Sequence, residues 1–228
     1  MHLRDVKPNA IRMKRLMDYL VSHKRYDERV LAVMSQIPRE LFVPKSMATD
    51  AYDDACLPIG EMQTISMPSV VAMMTSALEL KGNEKVLEIG TGCGYQTSVL
   101  CKLVKRVFTI ERHKSLSQTA VQRLQDMGYT NFTPLVGDGT LGWPGQAPFD
   151  RIIVTAAGPW VPEALVAQMA VGGILVIPVG KQEALQKLVK VVKGADGKTE
   201  ETVIGTVSFV PLVGEQGMKE GRKEVRRA

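Results

Sequence analysis

The sequence predicts an α/β fold: a doubly wound, mostly parallel sheet with antiparallel strands at its C-terminal edge and a helical cap at its N-terminus. Three observations carry this. From Gly82 onward, short apolar runs alternate with helical patterns in a regular order. The runs are apolar at consecutive positions, as strands buried on both faces are. One of them, Val86-Leu87-Glu88-Ile89, opens into Gly90, Gly92 and Gly94 before a helical stretch, which is the pattern of a strand, a tight turn and a helix start.

The elements follow in order. Ile11, Met13, Leu16, Met17, Leu20 and Val21 fall near the i, i+3, i+4 spacing of an amphipathic helix. A second helix is expected to be capped by Asp27, to carry Val30, Leu31, Met34 and Ile37, and to stop at Pro38. Residues 38–60 read as an irregular but packed loop, because Leu41-Phe42-Val43 and Cys56-Leu57 are too apolar for a solvated one. Pro68 belongs in the first turn of a helix bearing Val70, Val71, Met74 and Leu78, which puts Ser66 at its mouth.

Strands are then expected up to Gly90, over 106–111, 132–136, 150–155 and 173–178, with helices between them. Gly128 ends the helix after the second strand, and Leu165, Val166 and Met169 mark the last helix. Leu188–Val192 and Val203–Val210 read as strands joined through a turn at Ala195-Asp196-Gly197.

Composition narrows the function. The chain has 228 residues, 45% hydrophobic and 23% charged, enough to bury a full core. No apolar stretch approaches the roughly 18 residues of a membrane span, and Met1–Val6 has no apolar signal core, so no membrane association and a cytoplasmic location are expected. Cys56, Cys93 and Cys101 form no C-x-x-C pair, and His2, His23 and His113 are scattered, so neither disulfides nor a metal is expected. The net charge of +5 includes +2 from the segment after Val213, and no basic cluster interleaved with aromatics appears, so no dedicated nucleic-acid surface is expected.

Ligands of open α/β sheets bind beyond the carboxyl ends of the strands. Three features fall there: the glycine turn, Glu111 and Asp138-Gly139. The dinucleotide fingerprint fails because its third glycine position is Tyr95. Glu111 lies 21 residues past Gly90, where a carboxylate that accepts from ribose hydroxyls belongs. Each feature also has a purely structural reading, with Asp138 as a turn cap and Ser66 as a helix cap. Together they describe a nucleoside-bearing ligand.

Leu57-Pro58-Ile59-Gly60, Gln63-Thr64-Ile65-Ser66, Val86 to Gln96, Gly137-Asp138-Gly139, Val154-Thr155-Ala156-Ala157, Pro178-Val179-Gly180 and Phe209-Val210-Pro211-Leu212 together resemble the protein-L-isoaspartate O-methyltransferases. The resemblance implies a Rossmann-like, S-adenosylmethionine-dependent methyltransferase fold in a single domain. Residues 1–60 would form the helical cap and substrate loop, 61–180 the cofactor-binding core, 181–213 the C-terminal strands and 214–228 a polar tail. It implies methyl transfer from S-adenosylmethionine to the α-carboxylate of isoaspartyl residues in aged proteins, which are then the substrate partners of a monomer. By carry-over, Ser66 is the active-site serine, and Gln63, Thr64, Gly90, Gly92, Glu111, Asp138 and Gly139 hold the cofactor.

A carboxylate of pKa about 3.5 is already ionised at neutral pH, so the acceptor needs placement and dehydration and no general base. Two positions depart from the family: Met62 stands where glycine is usual, and Cys93 where serine is common, which would place a reagent-sensitive thiol at the cofactor loop. Two other functions are open to such a sequence. A methyltransferase for RNA or a small metabolite fits less well, since Thr155-Ala156-Ala157-Gly158-Pro159-Trp160 lacks the Asn/Asp-Pro-Pro-aromatic element and no Pro-Cys pair is present. The other is a cofactor-binding protein that has lost catalysis.

Overall fold

The structure, a computed structural model, describes residues 8–181 and 184–219. The expectations for Met1–Val6 and for the tail from Glu220 lie outside the described residues. Helices α1 (Pro8–Ser22) and α2 (Glu28–Met34) come first, and the Asp27 side chain caps α2 by accepting from Arg29 N at 2.8 Å. α2 ends at Met34, before the Pro38 stop that the sequence suggested, and Ile37 is buried from the turn that follows. Residues 38–56 wind through three short 3-10 turns, so the irregular segment is packed as expected.

A hairpin that the sequence reading did not anticipate comes next, β1 (Leu57–Gly60) and β2 (Gln63–Ile65). Each strand is too short for a period-2 signal to register. Its two turn residues, Glu61 and Met62, both sit at positive φ, 49° and 56°, the mirror-image turn that matches strand twist.

After α3 (Pro68–Ala77) the alternation becomes regular: β3 (Lys85–Ile89), α4 (Tyr95–Leu103), β4 (Arg106–Glu111), α5 (Lys114–Asp126), β5 (Phe132–Val136), β6 (Phe149–Val154), α6 (Glu163–Ala167), β7 (Met169–Val179), β8 (Gln186–Lys193) and β9 (Thr199–Val207). The strands β3 to β9 form one seven-stranded sheet in the order β5-β4-β3-β6-β7-β8-β9. Its first five members are parallel, and β8 and β9 complete it as an antiparallel edge.

Both faces are covered because alternate residues of each strand are apolar. Val86, Val107, Ile153 and Val176 pack with Met74 and Leu78 of the α3 region and Leu100 of α4. Their neighbours Leu87, Phe108, Ile152 and Leu175 pack with Phe149 and with Leu165 of α6. Each such side chain, fully buried, contributes roughly 2 kcal/mol.

Two expected boundaries moved. Met169 opens β7 instead of continuing a helix, and α6 has only five residues. The spacing 165, 166, 169 mimics a helical stripe, but Met169 is buried by pairing with Phe149 across the sheet. The final strand runs Thr199–Val207, and residues 208–213 leave it to return over the ends of the parallel strands, where Pro211 bridges Ala157.

Met62 pays for a left-handed backbone with an 86% exposed side chain that gains nothing in packing. Met62→Gly is expected to stabilise the chain by about 1 kcal/mol, read as a rise of about 2–4 °C in Tm by calorimetry.

Candidate active site

The site forms where the strand order reverses. β3 pairs with β4 on one side and β6 on the other, so the residues that follow these strands, Gly90, the terminal Glu111 and Thr155, meet at one edge. Gly90 N donates to Ile110 O at 2.8 Å and Thr155 N to Ile89 O at 2.9 Å, which carries the register beyond the strands. Gly90 cannot be larger: a Cβ there would stand 2.3 Å from Thr155 Oγ1, and φ is 95°. Gly139, after β5, is equally constrained, since its Cβ would meet Ile89 Cγ2 at 2.3 Å.

The glycine turn is not a row of free amides. Gly92 N donates to Glu111 Oε2 at 2.8 Å, and Gly94 N to Thr91 O at 2.9 Å. The other oxygen of Glu111 accepts from His113 N at 2.9 Å, at the start of α5. The Glu111 side chain is 5% exposed and thus ties β4, the glycine turn and α5 together while lining the space between them.

That space is a cleft of about 900 Å³, open to solvent. Gly90, Gly92, Glu111 and Gly139 line it, and so do Gln63 and Thr64 of β2 and Ser66 just beyond. Seven of the eight residues singled out from the sequence therefore converge. A second cleft, about 1250 Å³ and also open, runs along Met67, Val70 and Met73 on one side and residues 204–210 on the other. The two clefts share Thr64, Ser66, Thr155 and Val210.

Asp138 is the exception, and a correction to the expectation. It does not line the cleft; its Oδ1 accepts from Thr140 N at 2.8 Å and Thr140 Oγ1 at 2.7 Å, and its Oδ2 from Glu215 N at 2.7 Å. Burial works to raise its pKa, but these donors outweigh it and hold the carboxyl below the usual range. The turn-cap reading holds, and the same carboxylate anchors the C-terminal segment.

Ser66, by contrast, does not cap the helix that follows it. Met67 occupies the N-cap of α3, and the Asp54 side chain accepts from Ser69 N at 2.8 Å. The Ser66 carbonyl accepts from Arg39 Nη2 at 2.7 Å. None of the hydrogen bonds of the described histidines involves Ser66.

The chain's relatives fit this geometry. The model of the family described as protein-L-isoaspartate(D-aspartate) O-methyltransferase matches residues 11–217. The chain belongs to this family. It is 53% identical over 207 residues to a protein-L-isoaspartate O-methyltransferase of Trichlorobacter lovleyi, covering 90% of this chain and 94% of that one. Its counterpart in Dictyoglomus turgidum is 47% identical over 216 residues, covering 95% and 97%. A solved protein-L-isoaspartate O-methyltransferase superposes with a TM-score of 0.78 at 26% identity, over 90% of this chain and 67% of that one. A Plasmodium falciparum structure, described as a putative member in complex with S-adenosyl-L-homocysteine, shares the fold, with a TM-score of 0.75 at 24% identity over 87% and 96%.

Within this family member, sequence reasoning passed over three parts of the site. Thr155, whose hydroxyl lies 2.8 Å from Gly90 O, and the wall at residues 210–213 were quoted only as resemblance. Arg39 carried no signal of its own. Thr155 had one: it follows the strand beside the glycine strand, at the end where ligands bind. Of the cysteines, Cys93 lines the cleft at 7% exposure and burial raises its thiol pKa, which disfavours the reactive thiolate; Cys56 is the exposed one. Among the described residues no three His, Cys, Asp or Glu side chains converge as a metal site, and no helix is long and apolar enough to cross a membrane.

Behind the glycine turn lies Glu88, fully buried, with Thr97 Oγ1 at 2.5 Å and Thr109 Oγ1 at 2.6 Å donating to its Oε2 while Oε1 has no partner. Desolvation outweighs those donors and pushes its pKa up to about 8, with Glu111 adding to the rise. The folded chain holds a proton there that the unfolded chain releases above its ordinary value of 4.5, so stability falls as pH rises from 4.5 to about 8 and is level beyond. Glu88→Gln is expected to abolish this decline. Thermal melts from about pH 5 to about pH 9 should show the variant gaining on wild type up to about pH 8, by as much as about 4 kcal/mol. A constant difference across that range would refute the assignment.

Proposed function

We propose that this chain transfers a methyl group from S-adenosylmethionine to the α-carboxylate of isoaspartyl residues in damaged proteins, as a monomer in the cytoplasm, where its free thiols fit a reducing setting. The observation that carries the reading is the pair of clefts meeting at Thr64, Ser66, Thr155 and Val210. Two substrates, one in each cleft, would meet at these shared residues.

The first cleft fits the cofactor. The side-chain-free Gly90, Gly92 and Gly139 line it, so main chain is open to a ligand there, and the buried Glu111 carboxylate lines it with acceptor lone pairs to spare beyond its two backbone donors. Gln63, Thr64, Gly90, Gly92, Glu111 and Gly139 would hold the cofactor, with Glu111 accepting from ribose hydroxyls. When bound, it supplies an electrophilic methyl group. Asp138 acts at one remove, by anchoring the segment that forms the wall at 210–213.

The second cleft suits an extended peptide. Among the described residues that line it, Arg25 and the thiol of Cys56 are the ionisable side chains and the others are hydroxyl-bearing or apolar, which suits a chain of varied sequence. Ser66 directs the acceptor carboxylate. Its hydroxyl donates to one oxygen and leaves the other to attack, while the apolar walls strip water from the anion. A proton need not move, which accords with a serine that neither His23 nor His113 engages.

The test is methyl transfer to a matched pair of peptides, one isoaspartyl and one aspartyl. Transfer confined to the isoaspartyl peptide is expected. Ser66→Ala should lower kcat about 10- to 100-fold with cofactor affinity little changed, and Glu111→Ala should weaken cofactor binding by a similar factor, measured by calorimetry. Transfer to neither peptide, or equal transfer to both, would overturn the reading.

A further inference from the structure

Arg39 is the one fully buried cation among the described residues, at 0% exposure. It lies in the 3-10 turn Arg39–Phe42, and each arm of its guanidinium reaches a different segment. Nε donates to Ala51 O at 2.9 Å, in the substrate loop, and Nη2 to Ser66 O at 2.7 Å. The guanidinium carbon lies 4.9 Å from the centroid of the Tyr95 ring, and Tyr95 opens α4 and lines the cofactor cleft. The remaining nitrogen, Nη1, is buried without a partner.

Among the described residues, no carboxylate neutralises this charge. Glu40, adjacent in sequence, is engaged by Asn9 Nδ2 at 3.0 Å and by the Tyr52 hydroxyl, and no described Asp or Glu forms an ion pair with Arg39. Burying an unpaired guanidinium costs several kcal/mol, which its two hydrogen bonds to carbonyls offset only in part while Nη1 has no partner. A neutral donor would join the same carbonyls at less cost. What only a cation adds is attraction for an anion, and Ser66, which it holds by the backbone, lies where the two clefts meet.

We propose that Arg39 is a positioning residue of the methyl-acceptor site: it fixes Ser66 through the Ser66 carbonyl, and its uncompensated charge favours a carboxylate at the serine hydroxyl. The inference rests on the methyl-transfer reading and adds to it a residue that touches neither substrate.

Two substitutions separate the parts. Arg39→Lys keeps the charge and loses the fork. It should lower kcat for the isoaspartyl peptide about 10- to 100-fold in the wild-type background and less than about threefold in the Ser66→Ala background, with cofactor affinity held within about twofold. Arg39→Gln removes the charge as well, and should raise KM for the peptide several-fold beyond the lysine variant. Equal losses of kcat in both backgrounds, or a KM indifferent to the charge, would overturn the proposal. Should neither variant fold, the unmodified chain decides: with arginine labelled by 15N, the protected Nε–H signal of Arg39 should shift when isoaspartyl peptide is added with S-adenosylhomocysteine, and not with aspartyl peptide. A signal indifferent to both sinks the idea. Wild-type turnover keeps the two failures distinct, because a chain that methylates isoaspartyl peptide but ignores Arg39 refutes this inference alone.

Discussion

The bond between the Glu111 carboxylate and Gly92 N is the constraint on which the site depends. The glycine turn has little side-chain mass with which to hold its own shape. Charge-assisted donation to a buried carboxylate, roughly twice as strong as a neutral bond, holds it from the end of the neighbouring strand. His113 N on the second oxygen adds the start of α5. One side chain thus couples strand, turn and helix, and its remaining lone pairs face the cleft. The same two bonds that shape the turn therefore hold the carboxylate in a fixed orientation in the cleft wall.

The layer beneath supports that arrangement at some expense. Glu88 and Thr109 are neighbours in the β3–β4 register, and Thr91 of the turn lies 2.6 Å from the Thr109 hydroxyl. A polar chain from α4 through Glu88 and Thr109 thereby reaches the glycine turn inside an otherwise apolar sheet. Buried polar networks of this kind specify geometry more than they stabilise. The unpartnered Oε1 of Glu88 and Nη1 of Arg39 each cost stability, and these two residues adjoin the cleft's glycine turn and its serine.

The parallel sheet was legible because its code is local. Runs such as Arg106–Glu111 and Phe132–Val136 are apolar on both faces and end in glycine or acid, and both agree with the observed strands residue for residue. The glycine turn, Glu111 and Gly139 were legible for a related reason: the positions at strand ends are fixed by topology. Arg39 was not, since nothing in the spacing of Pro38-Arg39-Glu40 distinguishes a fully buried guanidinium from a solvated one. Its role depends on Ala51 and Ser66, 12 and 27 residues away. The β1–β2 hairpin escaped for a different reason, because Glu61-Met62 is a turn of the wrong chemistry for its positive φ values.

Asp138 shows how a motif at the right place can serve another end. Flanked by glycines beyond a parallel strand, it has the signature of a ligand contact, yet both its oxygens are engaged by Thr140 and Glu215. Thr140 Oγ1 in turn accepts from Gln216 N at 3.0 Å, and Gln216 Oε1 accepts from Ala164 N at 3.0 Å. The clasp needs Gly214, whose Cβ would stand 2.0 Å from Asp138 Oδ1. Upstream, the segment is fixed by Ala157, which donates to Val210 O and accepts from Leu212 N, both at 2.8 Å. Residues 210–213 are therefore stretched between two anchors, one at the end of the fourth parallel strand and one at Asp138, and they close the cofactor cleft while Val210 also lines the second. A wall held at both ends by strand termini stays in register with the glycine turn, because both hang from the same edge of the same sheet. Asp138 thus serves the cleft by fixing one of its walls.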